Sequence, residues 1–283
     1  MGVPVLTTLG LPRPRLLARL PRPIQRALRL AYVGARVTAD VESLRAYARL
    51  SAIDVHRGRG EETIDLRLRA LGGRAVAIRP GTSDVDTVWG TFARRYHLPP
   101  SEVGEPRLIF DLGANIGLTM ADLAVRYPLA RVVGVELDGA NADLARRNIG
   151  LWGDRCQVVD AAVWPEDGEA WYFPWPGGTA TYRAVGGAPD GATRVRAISL
   201  GTLVREHAGD GPVDYVKMDV EGGERQLLRD GSGWAPFVRG IKVEVHEPYT
   251  REACEDDLTR LGFQTRVDSD HSACVEGVRA VGA

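Results

Sequence analysis

The stretch LIFDLGANIGLTMADLAVRYPLARVVGVE, residues 108–136, decides the fold. It opens with a short apolar run over 108–110 and passes through the turn Asp111-Leu112-Gly113-Ala114-Asn115-Ile116-Gly117. Apolar residues then recur at helical spacing over 118–126 and stop before Pro128. A second apolar run, 131–135, ends on Glu136, nineteen residues after Gly117. Strand, glycine turn, helix and strand make half of a doubly wound α/β unit, whose ligands sit beyond the carboxyl ends of the strands. Without a Cβ, Gly113 permits a tight turn and Gly117 a close approach of helix to ligand. An acid at 136 is placed to accept hydrogen bonds from both hydroxyls of a ribose.

Two kinds of nucleotide compete for such a turn. A nicotinamide dinucleotide needs G-x-G-x-x-G, so that backbone amides cradle a pyrophosphate. This turn is Gly-x-x-x-Gly and starts on Asp111, whose charge would repel a pyrophosphate and suit an amino group or a sulfonium. The turn therefore favours a methyl donor over a hydride donor.

Outward from this core the pattern is regular. A helix is predicted over 140–151 and strands over 156–159, 195–198, 213–218 and 241–245, with helices at 200–207, 224–228 and 251–261 between them. Residues 263–267 and 273–275 read as a closing antiparallel pair. Alternating strands and helices imply a mostly parallel sheet covered on both faces. The expected fold is thus α/β and Rossmann-like: a seven-stranded sheet with a C-terminal antiparallel hairpin over 106–283. An insert over about 164–190, rich in aromatics, Gly and Pro, interrupts the rhythm. Upstream, apolar spacing over 24–50 suggests two helices broken near Gly34, and 64–78 a hairpin turning at Gly72-Gly73. Residues 1–55 are expected as a helical arm and 56–105 as a cap or lead-in.

Composition is that of an ordinary globular protein, 44% hydrophobic and 26% charged. No apolar run approaches the roughly 20 residues that span a bilayer, and the N-terminus does not read as a signal peptide. The three cysteines, Cys156, Cys254 and Cys274, are odd in number and lack a C-x-x-C pair, which points to reduced thiols and a cytoplasmic setting. The net charge of −1 is uneven: residues 1–60 carry eleven arginines against three acids, +8, leaving −9 for the rest. Such an arm can meet nucleic acid, an anionic membrane surface or an acidic partner, and could join copies of the chain in a homo-oligomer; packing of the arm on the acidic body is the expected outcome.

Further motifs sharpen the reading: Val-Gly-Val-Glu-Leu-Asp (133–138), Asp-Ala-Ala-Val (160–163), Lys-Met-Asp-Val-Glu-Gly-Gly-Glu (217–224) and Val-Glu-Val-His (243–246), joined upstream by 79–84 and Tyr96. With the turn at 111–119, these resemble the FkbM family over roughly residues 60–278. Gly223 stands where that family more often has alanine. The family comprises class I methyltransferases, many of which methylate hydroxyls of natural products and sugars. The resemblance implies S-adenosylmethionine as cofactor. Asp111 and Gly113 would contact its methionine portion, Glu136 its ribose, and Asp160 with the Ala161 amide its adenine. Asn115, Gly117, Tyr96 and Thr119 follow as further contacts.

Methyl transfer to a hydroxyl also needs a general base or a metal that acidifies the proton. Asp219, with Glu221 and Glu224 just beyond it, ends one strand, while Glu244 and His246 close the next and lie two apart, on one face of it. His246 or Asp219 is the expected base. Asp219, Glu244 and His246 are alternatively the ligands of a divalent ion such as magnesium. Lys217 points into or across the sheet, where it could pair with an acid, and is assigned no chemistry; His97, His207 and His271 are expected at the surface or in loops. Trp171, Tyr172, Phe173 and Trp175 are candidates for a substrate wall. The expected partner is a small hydroxylated molecule. Rival readings are a nucleic-acid methyltransferase, disfavoured by the acidic body, and a cofactor-binding module without turnover.

Overall fold

The computed structural model describes residues 21–53, 62–174, 182–185, 190–209 and 211–279. It opens with helix α1 (Arg22–Tyr32), a π-turn over Val33–Val37 and helix α2 (Val41–Leu50), whose first turn is capped by Asp40 accepting from the Ser43 amide at 2.7 Å. Strands β1 (Ile64–Leu68) and β2 (Arg74–Ile78) pair antiparallel across Gly72 and Gly73, both at positive φ. Helix α3 (Asp84–Trp89) follows. This segment is not a detached arm. Tyr32, Val37 and Tyr47 join Leu66, Ile78 and Val88 in one buried cluster with Ile116, Leu118 and Leu144 of the main body. An apolar stripe at helical spacing is stable only when covered, and the body's own helices cover it. A buried bidentate pair, Arg79 with Asp84 (2.9 Å), extends through Arg79 Nη2 to Asn141 Oδ1 at 2.7 Å. These residues fasten the hairpin to the body.

The body alternates as expected: β3 (Leu108–Leu112), α4 (Leu118–Arg126), β4 (Arg131–Glu136), α5 (Gly139–Ile149) and β5 (Cys156–Asp160). After an insert come α6 (Leu200–His207) and, below, the strands of the other half of the sheet. The insert consists of β6 (Ala162–Val163), β7 (Gly168–Pro174), β8 (Tyr182–Val185) and β9 (Thr193–Ile198). The chain ends through β10 (Val213–Met218), α7 (Glu224–Arg229), β11 (Val238–Glu244), α8 (Arg251–Arg260), β12 (Gln264–Val267) and β13 (Cys274–Val278). The central sheet has the order β12-β13-β11-β10-β3-β4-β5, with only β13 antiparallel to its neighbours. Strands β3 and β10 are buried end to end, as strands covered on both faces must be. The strand order reverses between them, which puts the switch point at their carboxyl ends.

One strand departs from expectation. Residues 195–198 read as part of the main sheet, yet β9 belongs to a second sheet of order β6-β9-β7-β8. Its sequence, TRVRAI, carries charged residues on alternate positions and buries only its end, the pattern of a strand with one wet face. Trp164 packs there with Leu137 and Val195 against Ala162, Ala170 and Ala197. Trp175 lies outside the described residues. No described helix is long and apolar enough to cross a membrane.

The closeness of α4 to β4 is testable. A Cβ on Gly134 would meet Met120 Sδ at 2.4 Å and Ala114 Cβ at 2.9 Å. Gly134→Ala should cost about 1–3 kcal/mol by overpacking, read as a lower urea midpoint with an unchanged slope; wild-type stability would refute this packing.

Candidate active site

The turn after β3 spends its amides inward. Gly113 and Ala114 N–H both donate to Val135 O at 3.0 Å, and Asn115 N–H donates to Glu136 Oε2 at 2.8 Å. None of the three is left to cradle a phosphate. Gly113 is required by contact as well as by its φ of +80°: a Cβ there would lie 1.8 Å from Asp219 O. Gly117 serves packing, since its Cβ would press on Ala145 Cα of α5 at 3.0 Å. Two non-glycine residues of these loops take positive φ, Asn115 (+49°) and Glu221 (+55°). The second is costly for a glutamate and persists only where the surroundings enforce it.

Between the loops lies an open cleft of about 520 Å³, lined by Gly113, Asn115, Glu136, Ala161, Asp219 and Glu221 among others. Glu136 is buried at its edge and also accepts from the Asp138 amide at 2.9 Å. Burial pushes its carboxyl up to about 7, against the pull of the Asp138 and Asn115 amides. Each oxygen thus holds one backbone donor, Oε2 that of Asn115 and Oε1 that of Asp138.

Other expected residues sit behind this wall. Asp111 is fully buried, accepts from the Thr119 hydroxyl and lies 3.1 Å from Lys217 Nζ. Asp160 is half exposed and held by Arg146 at 2.6 Å, and the Ala161 amide is taken by Glu136 O. Arg146 thus holds one oxygen of Asp160, and Ala161 itself lines the cleft. Asn115 keeps an unbonded Oδ1. Tyr172 of the insert meets Asp138 at 3.5 Å, which sets the aromatic strand beside the Glu136 end of the cleft rather than beside Asp219.

At the opposite end, carboxylates crowd one imidazole. His246 Nδ1 is 2.9 Å from Glu224 Oε1, and its Nε2 lies 3.4 Å from Glu221 and 3.8 Å from Asp219 Oδ1. Burial disfavours the His246 cation, yet the Glu224 hydrogen bond and the charges of Asp219, Glu224 and Glu221 raise its pKa to about 10. An imidazolium has no lone pair with which to take a proton, so the two expected bases, His246 and Asp219, differ in their readiness to accept one. The atoms able to share an ion are those of Asp219, Glu221 and His246, which lie within 4.8 Å of one another. Glu244 is outside that group, because β11 ends at residue 244 and His246 lies beyond it, free of strand alternation. Burial and then the Asp219 charge push Glu244 up to about 7; burial and Asp219 do the same for Glu221.

Lys217, expected to pair with an acid but given no chemistry, reaches Gly113 O (3.0 Å), Asp111 (3.1 Å) and Asp219 (3.3 Å) through its Nζ. His97 and His271, expected at the surface or in loops, lie outside helices and strands but are buried. His97 is buried against Asp122 at 3.0 Å. His271 is buried 5.4 Å from the Tyr96 ring, and burial with the Arg94 charge lowers its pKa to about 4. Tyr96 in turn offers its hydroxyl to Asp219 Oδ2 at 3.4 Å.

The sequence and the fold both have relatives among known proteins. The model of the "Methyltransferase FkbM domain" matches residues 111–269. The chain is 28% identical to methyltransferase sdnD of Sordaria araneosa over 197 residues, 56% of this chain and 74% of that protein. Among solved structures, a methyltransferase from Geobacter sulfurreducens is 17% identical, covering 63% of this chain and 73% of its own, with a TM-score of 0.39. Aeropyrum pernix fibrillarin, solved with natively bound S-adenosyl-L-methionine, is 15% identical over 64% of this chain and 69% of its own, with a TM-score of 0.37.

Glu136 makes stability depend on pH. Its folded pKa of about 7 exceeds the ordinary 4.5, so between those values the folded state binds more protons than the unfolded one and loses stability as pH rises. The stability of the wild type relative to Glu136→Gln should fall by roughly 3 kcal/mol from pH 4.5 to pH 8. Urea titrations at several pH values check this, and a pH-independent difference would refute it.

Proposed function

Because the chain belongs to the FkbM family of methyltransferases, we propose that it transfers a methyl group from S-adenosylmethionine to a hydroxyl of a small natural product or sugar. One observation carries the choice of cofactor. The amides of residues 113–115 are spent on Val135 O and Glu136, while the cleft walls present the carboxylates of Glu136, Asp219 and Glu221. That donor set repels phosphate and attracts a cation. S-adenosylmethionine supplies a methyl group on a positively charged sulfur, which keeps the electron pair of the S–C bond as the methyl departs. Glu136 accepts from the ribose hydroxyls, and Gly113, Asn115 and Ala161 form the adjoining wall. Asp219 Oδ1 takes the acceptor's proton as the O–C bond forms. The rest is alignment, since the charge of the donor is dispersed at the transition state and the protein gains most by holding the reacting atoms in line.

A divalent ion fits the same corner only with His246 neutral, its Nδ1–H given to Glu224 and its Nε2 free. Asp219, Glu221 and His246 would then hold the ion, which would acidify the acceptor hydroxyl. The carboxylates of this corner already hold the imidazolium as their cation, which favours Asp219 acting as the base unaided.

Calorimetry should show uptake of S-adenosylmethionine, weakened by about 100-fold or more in Glu136→Ala, which loses two charge-assisted hydrogen bonds. No uptake by the wild type would sink the reading. Asp219→Asn should keep cofactor affinity and lose about 10²–10⁴ in kcat. Activity that survives EDTA supports the unaided base; loss on chelation with recovery in Mg²⁺ assigns the role to the ion.

A further inference from the structure

Lys217 is sealed inside β10, its side chain 3% exposed. A buried ammonium is tolerated only when its charge is matched, and this one is shared among Asp111 Oδ1 (3.1 Å), Asp219 Oδ2 (3.3 Å) and Gly113 O (3.0 Å). It also lies 5.8 Å from the centre of the Tyr96 ring. The two carboxylates differ in exposure. Asp111 is closed off, whereas Asp219 lines the cleft. Both holds on Asp219 grip the same oxygen: Lys217 Nζ and the Tyr96 hydroxyl reach Oδ2. Oδ1 is left toward His246 Nε2, 3.8 Å away.

We infer that Lys217 is a positioning residue for methyl transfer, turning Asp219 so that Oδ1 meets the acceptor hydroxyl. Through Gly113 O it locks that carboxylate to the turn beside which the donor is held. The inference rests on Asp219 being the base. A general base works when a third group fixes its orientation, and a displacement of about 1 Å costs roughly 100-fold in rate. The same ammonium stands between Asp219 and Asp111 as their shared counter-charge.

The direct substitution is a poor test, because Lys217→Met strands the buried Asp111 charge. Asp111→Asn removes that charge first, and Lys217→Met is then read in the Asp111→Asn background. Relative to Asp111→Asn, the double variant is expected to keep its thermal midpoint within a few degrees and its S-adenosylmethionine Kd within about threefold, while kcat drops about 100-fold. A merely structural lysine would give the opposite: once the stranded charge is gone, stability and kcat return together. Tyr96→Phe removes the second hold on Oδ2 and leaves every buried charge paired; kcat should fall about fivefold, the worth of one hydrogen bond. Unchanged kcat in either variant, with donor still bound, overturns the inference. Absence of S-adenosylmethionine uptake by the wild type would instead overturn the cofactor assignment beneath it.

Discussion

Everything at this site follows from how closely two loops meet where the strand order reverses. The turn after β3 and the loop after β10 touch at Gly113 and Asp219 O, where no Cβ has room. Parallel pairing continues past the strands, with the Asp219 amide donating to Leu112 O at 3.0 Å. Closing the loops this tightly forces their side chains outward and upward, so the acids that end the strands collect around one cleft. Like charges so near one another are costly. One ammonium from below and one imidazole from the side supply the compensation, and burial leaves Glu136, Glu221 and Glu244 near neutrality in pKa.

The division of labour along the cleft follows the sheet. At the end of β4, Glu136 lies beside Asp138, with the second sheet and Tyr172 next to them. At the ends of β10 and β11, Asp219, Glu221, Glu244 and His246 gather, with Tyr96, Arg94 and His271 flanking them. The residues preceding β3 therefore shape the site as much as the sheet does.

Much of this was legible in the residues. Apolar runs in β3 and β10, glycines at 113 and 117, and acids at 136 and 219 announced the sheet, its switch point and the chemistry of its edge. Periodicity failed where two answers share one pattern. TRVRAI reads as a strand in either sheet, and only the partner decides. Position alone did not show the neighbours that share the expected groups: Arg146 holds one oxygen of Asp160, and Glu136 O takes the Ala161 amide. His246 could be located but not given a protonation state, since that depends on three acids, two of them on a loop whose course is not local in sequence. The burial of His97 and His271 carried no sequence mark at all.

The shared cluster joining the N-terminal helices to α4 and α5 has a consequence for where this protein can be cut. Ile116, Leu118 and Leu144 lie inside the part of the chain that matches the family, yet their covering comes from Tyr47, Leu66, Ile78 and Val88 upstream. A fragment trimmed to the matched boundaries would present that apolar face to water and lose Arg79, the partner of Asn141. The matched region and its preamble share one core, so a cut at the matched boundaries would leave part of that core uncovered.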